Sequence, residues 1–392
     1  MSDANRVNLA YDVESAYGVV PDVCDLQNIR FTSEDLKQDT ESTISNELRS
    51  DRQRGDVIRT GLRANGGFNY EFSYEAFDEL IHIAFMDDRA LSADHSVNWN
   101  PAVAVGPAAT ISFTTPATIA DSGSGFGSIV AGQWIRVEGS AANDGIYKVT
   151  TASAGTLIIS HGAVATAGAG ASITITQGEY VENGTTARSL CIEKAYLDLS
   201  NEFAVFLGAM IDTFSLDVGE NSIITGNFGF LGKNETSGAA TIDSAAGNTA
   251  APTKSVMNAI DNVTAIYEGG TSMSIKSFSV NLKNNLRERF AIGVLGAESI
   301  GTGTVDVEGS ITAVYTSKTI MDKYLDFTSS SLSLKFEDAD GNLYVLEVPQ
   351  IKYTNATRLG GGINTDVLAE MSFMSYRDPT ELITIRMVRW DV

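Results

Sequence analysis

Three histidines, His82, His95 and His161, are the natural starting point for chemistry in this chain. His82 falls in a stretch of helical spacing, His95 in a linker and His161 in a glycine-rich segment. They make no ligand set by spacing, and a catalytic triad has no anchor among them. The run Ser122-Gly123-Ser124-Gly125-Phe126-Gly127 carries glycines that suggest a phosphate loop. It lacks the following helix and the Lys-Ser/Thr that such a loop needs, so it reads as a cluster of β-turns. Glu337-Asp338-Ala339-Asp340-Gly341-Asn342 resembles the start of a calcium loop. The distal Glu is absent and apolar strands flank the run on both sides, which makes it a hairpin turn. Paired acids such as Asp87 and Asp88 are unremarkable without a His or Arg partner in a pocket. The sequence presents no catalytic residue, no cofactor site and no metal site, and this points away from an enzyme.

The stretch that organises the chain runs from Ile29 to Phe85 and reads as strand, long polar loop, strand and short helix. The first strand is brief, at Ile29 and Phe31. The loop from Thr32 to Arg59 carries charges of both signs and almost no apolar residue. The second strand places Phe68, Tyr70, Phe72 and Tyr74 on one face and Asn69, Glu71 and Ser73 on the other, the period of a half-buried strand. Phe77, Leu80, Ile81 and Ala84 then recur at helical spacing, with acids in the first turn.

Arg30-Phe31-Thr32, Leu36-Lys37-Gln38-Asp39-Thr40-Glu41, Glu47-Leu48-Arg49-Ser50-Asp51-Arg52 and the strand–helix Phe72-Ser73-Tyr74 to Phe77-Asp78 carry a family resemblance. They resemble the tail tube proteins of long, non-contractile-tailed bacteriophages (siphophages). The resemblance extends more loosely over nearly the whole chain, and its motifs are structural rather than catalytic.

Composition agrees with a large, mainly β protein. The chain has 392 residues, which suggests two or three domains. Glycine is abundant, proline and tryptophan are scarce, and many segments alternate with β-branched or aromatic residues. The formal net charge of −22 argues against a protein that grips nucleic acid by neutralising phosphates. It suits a soluble surface, or one that must repel a polyanion. Cys24 and Cys191 lie far apart and define no disulfide framework. The first residues have neither a basic nor an apolar region of the signal-peptide kind, and no apolar run is long enough to span a bilayer. Synthesis in a bacterial host cytoplasm, with no membrane segment, is the expectation.

Taken in order, residues 1–26 read as an N-terminal arm that becomes ordered against something else. Met86 to Pro107 is a linker. From Ala109 to Gln177 the sequence turns rich in Gly, Ala, Ser and Thr and nearly free of charge. Strands are expected there at 111–113, 133–138, 145–150, 156–160 and 172–176, forming a small β module, Ig-like or similar. Further strands are expected at 189–199, 203–212, 213–218 and 223–230, and a linker at 232–253. The second half then repeats the order of the first. Ser277–Leu282, the loop Lys283–Gly303, Ile311–Tyr315, the helix 319–325, 331–336, 343–352 and 366–373 match the elements of the first copy in turn. The junction between helix and next strand, short in the second copy, holds the whole insert in the first. Surface loops tolerate such insertions because added length costs little entropy. The domain reading is therefore 27–86 with 188–231 as a discontinuous first tube domain, 109–177 as the insert and 254–392 as a second tube domain.

The resemblance implies a β-sandwich or open barrel with a short flanking helix in each domain. It implies rings that stack into a tube conducting DNA from capsid to cell. Single-domain members form hexameric rings, so three duplicated chains would complete a pseudo-sixfold ring. Tail tip, terminator and tape measure proteins are the implied partners, and the virion tail is the implied location. By the resemblance the long loop reaches the neighbouring ring, which makes Glu34, Asp35, Lys37, Asp39, Glu41, Glu47, Arg49, Asp51, Arg52 and Arg54 candidate stacking residues. Glu71, Asp217, Asp306, Glu308 and Glu370 sit on polar strand faces and are candidates for the lumen or, equally, the outer wall; acids in the lumen would let DNA slide without adhering. The alternative is a virion surface adhesin or decoration protein acting through the insert. A glycan-degrading enzyme would need two carboxylates across a cleft, and the sequence selects no such pair.

Overall fold

The computed structural model describes residues 3–91, 95, 99–244 and 247–391. The chain begins with β1 (Val7–Val13), β2 (Gln27–Asn28), β3 (Ser33–Glu34), β4 (Lys37–Ile44) and β5 (Val57–Glu71). β1 is no free arm, since it pairs with 190–196 of the same chain along its whole length. No strand forms at Ile29 and Phe31. That segment crosses between two strands instead: Ile29 N–H donates to the Leu9 carbonyl at 2.8 Å and Thr32 N–H to that of Asn69 at 2.8 Å.

The polar stretch Thr32–Arg59 is also not a loop. β4 and β5 pair from Lys37 opposite Asn65 to Ile44 opposite Val57, with the turn at 45–56. A ribbon with both faces in water needs no apolar face, so polarity did not exclude a strand. At its other end β5 alternates as expected and stops at Glu71, short of the expected Tyr74; Phe68 and Tyr70 in it, and Phe72 and Tyr74 beyond it, are buried, and so is Ser73. α1 (Asp78–Ala84) has every residue buried. Its first-turn acids do more than complement the helix dipole. Asp78 pairs with Arg389 and Tyr344, and Glu79 accepts from the Tyr11 hydroxyl at 2.7 Å.

The insert holds β6 (Val103–Ala108), β7 (Ile111–Thr114), β8 (Thr118–Asp121), β9 (Trp134–Glu138), β10 (Gly145–Ser153), β11 (Thr156–Ser160) and β12 (Ile173–Gln177). They form one sheet in the order β6-β12-β9-β10-β11-β8-β7. Phe113, Phe126, Ile135, Val149 and Leu157 belong to a core of its own. The module starts at Val103, earlier than its change of composition.

The main body resumes with β13 (Glu179–Glu182), β14 (Leu190–Tyr196), β15 (Phe203–Gly219), β16 (Thr225–Gly232) and β17 (Asn234–Gly238). The two strands expected at 203–218 are one. Its register against β14 shifts between Phe206 and Ala209, where Gly208 takes a left-handed φ of 66°. Such a bulge bends a strand without ending it. The segment Gly232–Thr253, expected as a linker, contains β17 and is tied down, with Thr249 N–H donating to the Leu26 carbonyl at 2.7 Å.

The second half holds β18 (Val263–Glu268), β19 (Thr271–Ser272), β20 (Ile275–Lys283), β21 (Arg287–Arg289), β22 (Ser299–Gly301), β23 (Asp306–Val314), α2 (Thr319–Leu325), β24 (Ser330–Glu337), β25 (Leu343–Gly360), β26 (Val367–Ser375) and β27 (Arg386–Trp390). In the first half pairing runs β1–β14–β15–β16–β5. In the second it runs β18–β24–β25–β26–β23. β15 also pairs with β20, so both halves share a sheet that runs β4–β5–β16–β15–β20–β23–β26–β25. They share a core as well, with Phe72 5.8 Å from Phe336 and 5.4 Å from Tyr344.

Candidate assembly surfaces

The shared sheet has two unlike faces. Residues directly opposed across a ladder lie on the same face. One row runs Glu71, Thr225, Asp217, Ser279, Ser310, Ser372 and Asn355, across seven strands. Its neighbour runs Ser33, Asn69, Asn227, Ser215, Asn281 and Glu308. Thr312 opposite Glu370 and Asp306 opposite Lys283 continue the same face. Side chains join across it: Asn69 Nδ2 donates to Ser33 Oγ at 2.8 Å, Asn227 Nδ2 to Asn69 Oδ1 at 3.0 Å, and the Ser279 and Ser310 hydroxyls meet at 2.8 Å. The other face runs Phe68, Phe228, Phe214, Leu282 and Val307 and is buried. Period-two alternation thus gives a packed apolar face and an open polar one. Glu71, Asp217, Asp306, Glu308 and Glu370 all fall on the polar face. Within these rows they meet a single base, Lys283.

The sheet also has two bare ends. The carboxyl-terminal half of β15 lies between β16 and β20. The matching half of β25, Asn355 to Gly360, pairs with β26, and among the described residues no strand lies on its other side. At the far end, among the described residues, β4 pairs with β5 alone. Bare edges of this length are templates for pairing with another chain.

A family model described as phage tail tube protein matches residues 4–375. The chain belongs to the phage tail tube protein family. It is a structural protein of the phage tail. No curated protein matches the chain. No helix among the described residues is long and apolar enough to cross a membrane.

In this tube protein the structure divides the ten charged residues singled out for stacking: Glu34 and Asp35 precede the β4–β5 hairpin, which carries the other eight. Glu34 and Asp35 are engaged at home: Glu34 pairs with Lys194 at 2.5 Å, and Asp35 accepts from Gly67 N–H at 2.6 Å. Lys37 reaches Asp39 at 3.6 Å, and Glu41 pairs with Arg63 along the ribbon. Arg49 and Asp51 pair at 3.0 Å near the tip, where Glu47, Arg52 and Arg54 are exposed. Ile44, Leu48, Val57 and Ile58 are exposed on the same hairpin. The β21–β22 hairpin of the second half likewise exposes Phe290, Ile292, Val294 and Leu295. In the first tip charged neighbours mask the isolated apolar residues; in the second, the run Phe290–Leu295 was the available signal, hidden by reading the whole stretch 283–303 as polar.

Sequence reading also missed how firmly the tube protein holds its insert. Trp134 and Ile146 of the insert pack with Leu343, Val345, Val388 and Trp390 of the second half. A buried charge cluster completes the junction. Glu347 pairs with Lys148 and accepts from Trp134 Nε1 at 2.8 Å. Lys148 also meets Glu381 at 2.5 Å, and Arg386 meets Glu381 at 2.9 Å and Glu182 at 3.2 Å. Burial works against the Lys148 charge, but Glu347 and Glu381 outweigh it and hold its pKa above the ordinary lysine value. Burial likewise opposes the Glu347 carboxylate, yet Lys148 and Arg386 hold its pKa below the ordinary value. Lys335 lies 5.5 Å from the Trp134 ring and 4.8 Å from that of Tyr267, and donates to the Ile146 carbonyl at 2.5 Å. Burial pushes its pKa down to about 8.

The three histidines are scattered. His82 is buried in α1. His95 bonds to Glu79 at 2.8 Å. His161 sits between Trp134 and Tyr267.

Proposed function

We propose that this chain polymerises into stacked rings forming the tail tube, the conduit for DNA ejection into the host. One observation carries the reading: two matching strand edges are treated differently. The edge of β15 is covered by β20 of the same chain, whereas that of β25 is bare. A second copy offers β3 and β4, at the opposite end of the shared sheet, to cover it. Head-to-tail joining of this kind closes into a ring when the rotation allows, and it removes the open edges.

The repeated pairing order supports two tube domains, 27–86 with 188–231 and 254–392. With four strands from each, three chains would close a pseudo-sixfold barrel of about 24 strands, wide enough for an aqueous channel. The polar face would line it. Its acids repel phosphate, and no counterion is released on contact, so DNA passes without adhering. The β4–β5 hairpin would reach the adjacent ring, its charges setting register. Tail tip, terminator and tape measure proteins would meet the tube at its ends and in its lumen.

Successive amides of a strand point to opposite edges, so proline at either Ala356 or Thr357 spares the β25–β26 ladder. One of Ala356→Pro and Thr357→Pro should therefore keep the melting temperature of the monomer and abolish assembly, measured by sedimentation and electron microscopy. Normal tubes from both variants would defeat the edge-pairing reading.

A further inference from the structure

We infer that the cavity beside α2 is a socket for the residues that precede β1 in a neighbouring copy of this chain. The inference rests on the head-to-tail ring proposed above and adds a second contact to it.

The cavity measures about 440 Å³, with Met273, Ala313, Tyr315, Thr316, Ile320 and Ala369 among its walls. It lies where β23 ends and β26 begins. There Tyr315 N–H donates to the Val367 carbonyl at 2.9 Å. The matching place in the first half is where β5 ends and β16 begins, and Phe72 N–H donates to the Ile224 carbonyl at 2.8 Å. That place is occupied. Met257 is fully buried in the core beside it. Its N–H donates to the Phe72 carbonyl at 2.8 Å, and its own carbonyl accepts from Ile224 N–H at 3.0 Å. Val256 and Asn258 bridge to Ser73 and Ile223 on either side. A short extended wedge thus closes the end of the first half.

The origin of the wedge identifies the occupant of the socket. The wedge lies just ahead of β18, separated from it by a turn at 259–262. The Asn262 carbonyl accepts from Glu337 N–H at 2.8 Å, at the end of β24. Ahead of β1 stands a matching turn, Ala4–Arg6, and the Arg6 carbonyl accepts from Leu197 N–H at 2.8 Å, beyond the end of β14. The residues before Ala4 therefore hold the place in the chain that Met257 holds before β18. Inside one chain, the wedge ahead of the second half enters the first half, whose β15 pairs with β20. One step round the ring, the wedge ahead of β1 enters the second half of the neighbour, whose β25 pairs with β3 and β4. Among the described residues, nothing of the chain itself bonds to the Tyr315 carbonyl as Met257 bonds to that of Phe72. The cavity exceeds one side chain in volume, and its apolar and hydroxyl walls, with the paired Glu268 and Lys323 on one side, suit a short stretch of backbone with its side chains.

The test is a disulfide trap in the full chain. Asp366 precedes Val367 at the socket as Ile223 precedes Ile224 in the first half, so the pair is Asp3→Cys with Asp366→Cys; the native Cys24 and Cys191 are buried. Oxidised tubes should run on non-reducing gels mostly as covalent dimers and trimers, and each single variant as monomer. If Asp366→Cys impairs assembly, Thr316→Cys on the same socket replaces it. Tubes that form normally but yield only monomers would overturn the socket and leave the ring standing. Wild-type chain that never forms rings would overturn both.

Discussion

Asp217 of β15 lies directly opposite Ser279 of β20, at the seam where the two halves of the chain share one sheet. The carboxylate belongs to a row of polar side chains that crosses seven strands without an apolar interruption. The reverse face, one residue away, is apolar, with Tyr70, Leu216, Val280, Ile311 and Phe373 closed to water. A single sheet therefore provides the wall of the body and the surface it presents.

The charge of that surface is open to a direct test. Reversing Glu71, Asp217, Glu308 and Glu370 to Lys should turn an indifferent surface into one that holds DNA. Fluorescence anisotropy with labelled duplex should show no binding by wild-type tubes at moderate salt. The fourfold variant should bind, with log affinity falling against log salt by about 0.9 for each phosphate neutralised. A variant as indifferent to duplex as the wild type would place these acids on another wall.

Shortening the β4–β5 hairpin tests stacking apart from ring closure. Replacing residues 45–56 by an Asn-Gly turn leaves the paired strands intact. Electron micrographs should then show single rings in place of tubes. Full-length tubes would show that the hairpin is not the contact between rings.

At the insert junction, Glu347 is fully buried between Lys148 and Arg386. Glu347→Ala leaves Lys148 and Arg386 to share Glu381, with Glu182 as a further partner of Arg386, and the lost buried partner should cost up to about 3 kcal/mol. Denaturant titration should show it. Replacing Lys148 and Glu347 together by Met should cost far less, because no lone charge is left behind. Equal losses in the two variants would mean that packing, and not charge, holds the junction.

His161 gives the junction a pH dependence of known sign. Burial pushes its pKa from 6.5 down to about 4; Lys148 and Lys335 push the same way and Glu347 opposes them. Between those values the unfolded chain takes up a proton that the folded chain does not. Stability is therefore unaffected by this group above pH 6.5 and falls as pH drops towards 4, by up to roughly 3 kcal/mol. The depressed pKa of Glu347 adds a further loss below the ordinary carboxylate range. His161→Gln should flatten the stability curve between pH 6.5 and 4; an unchanged curve would assign the loss to the carboxylates.

Much of this was legible in the sequence, for local reasons. The alternation from Phe68 to Tyr74 fixed a strand and its buried face, helical spacing marked α1, and the internal repeat marked α2. The five acids could be placed on polar faces because side chains alternate strictly along a strand. What failed depended on partners far away in the chain. The hairpin at 37–62 has no apolar face for a pattern to reveal. Lys148 and Glu347 are ordinary charges until the fold brings them together. Nothing near Met257 announces that it fills the end of the first half.

The most direct test of the account is negative-stain electron microscopy of the purified protein, with end-on views averaged. Stacked rings with a central channel and three outer projections are expected, one insert from each chain of a duplicated tube protein. Six projections would keep the tube and contradict the proposed trimer. A dispersed monomer at every concentration would contradict self-assembly and shift the function to the insert.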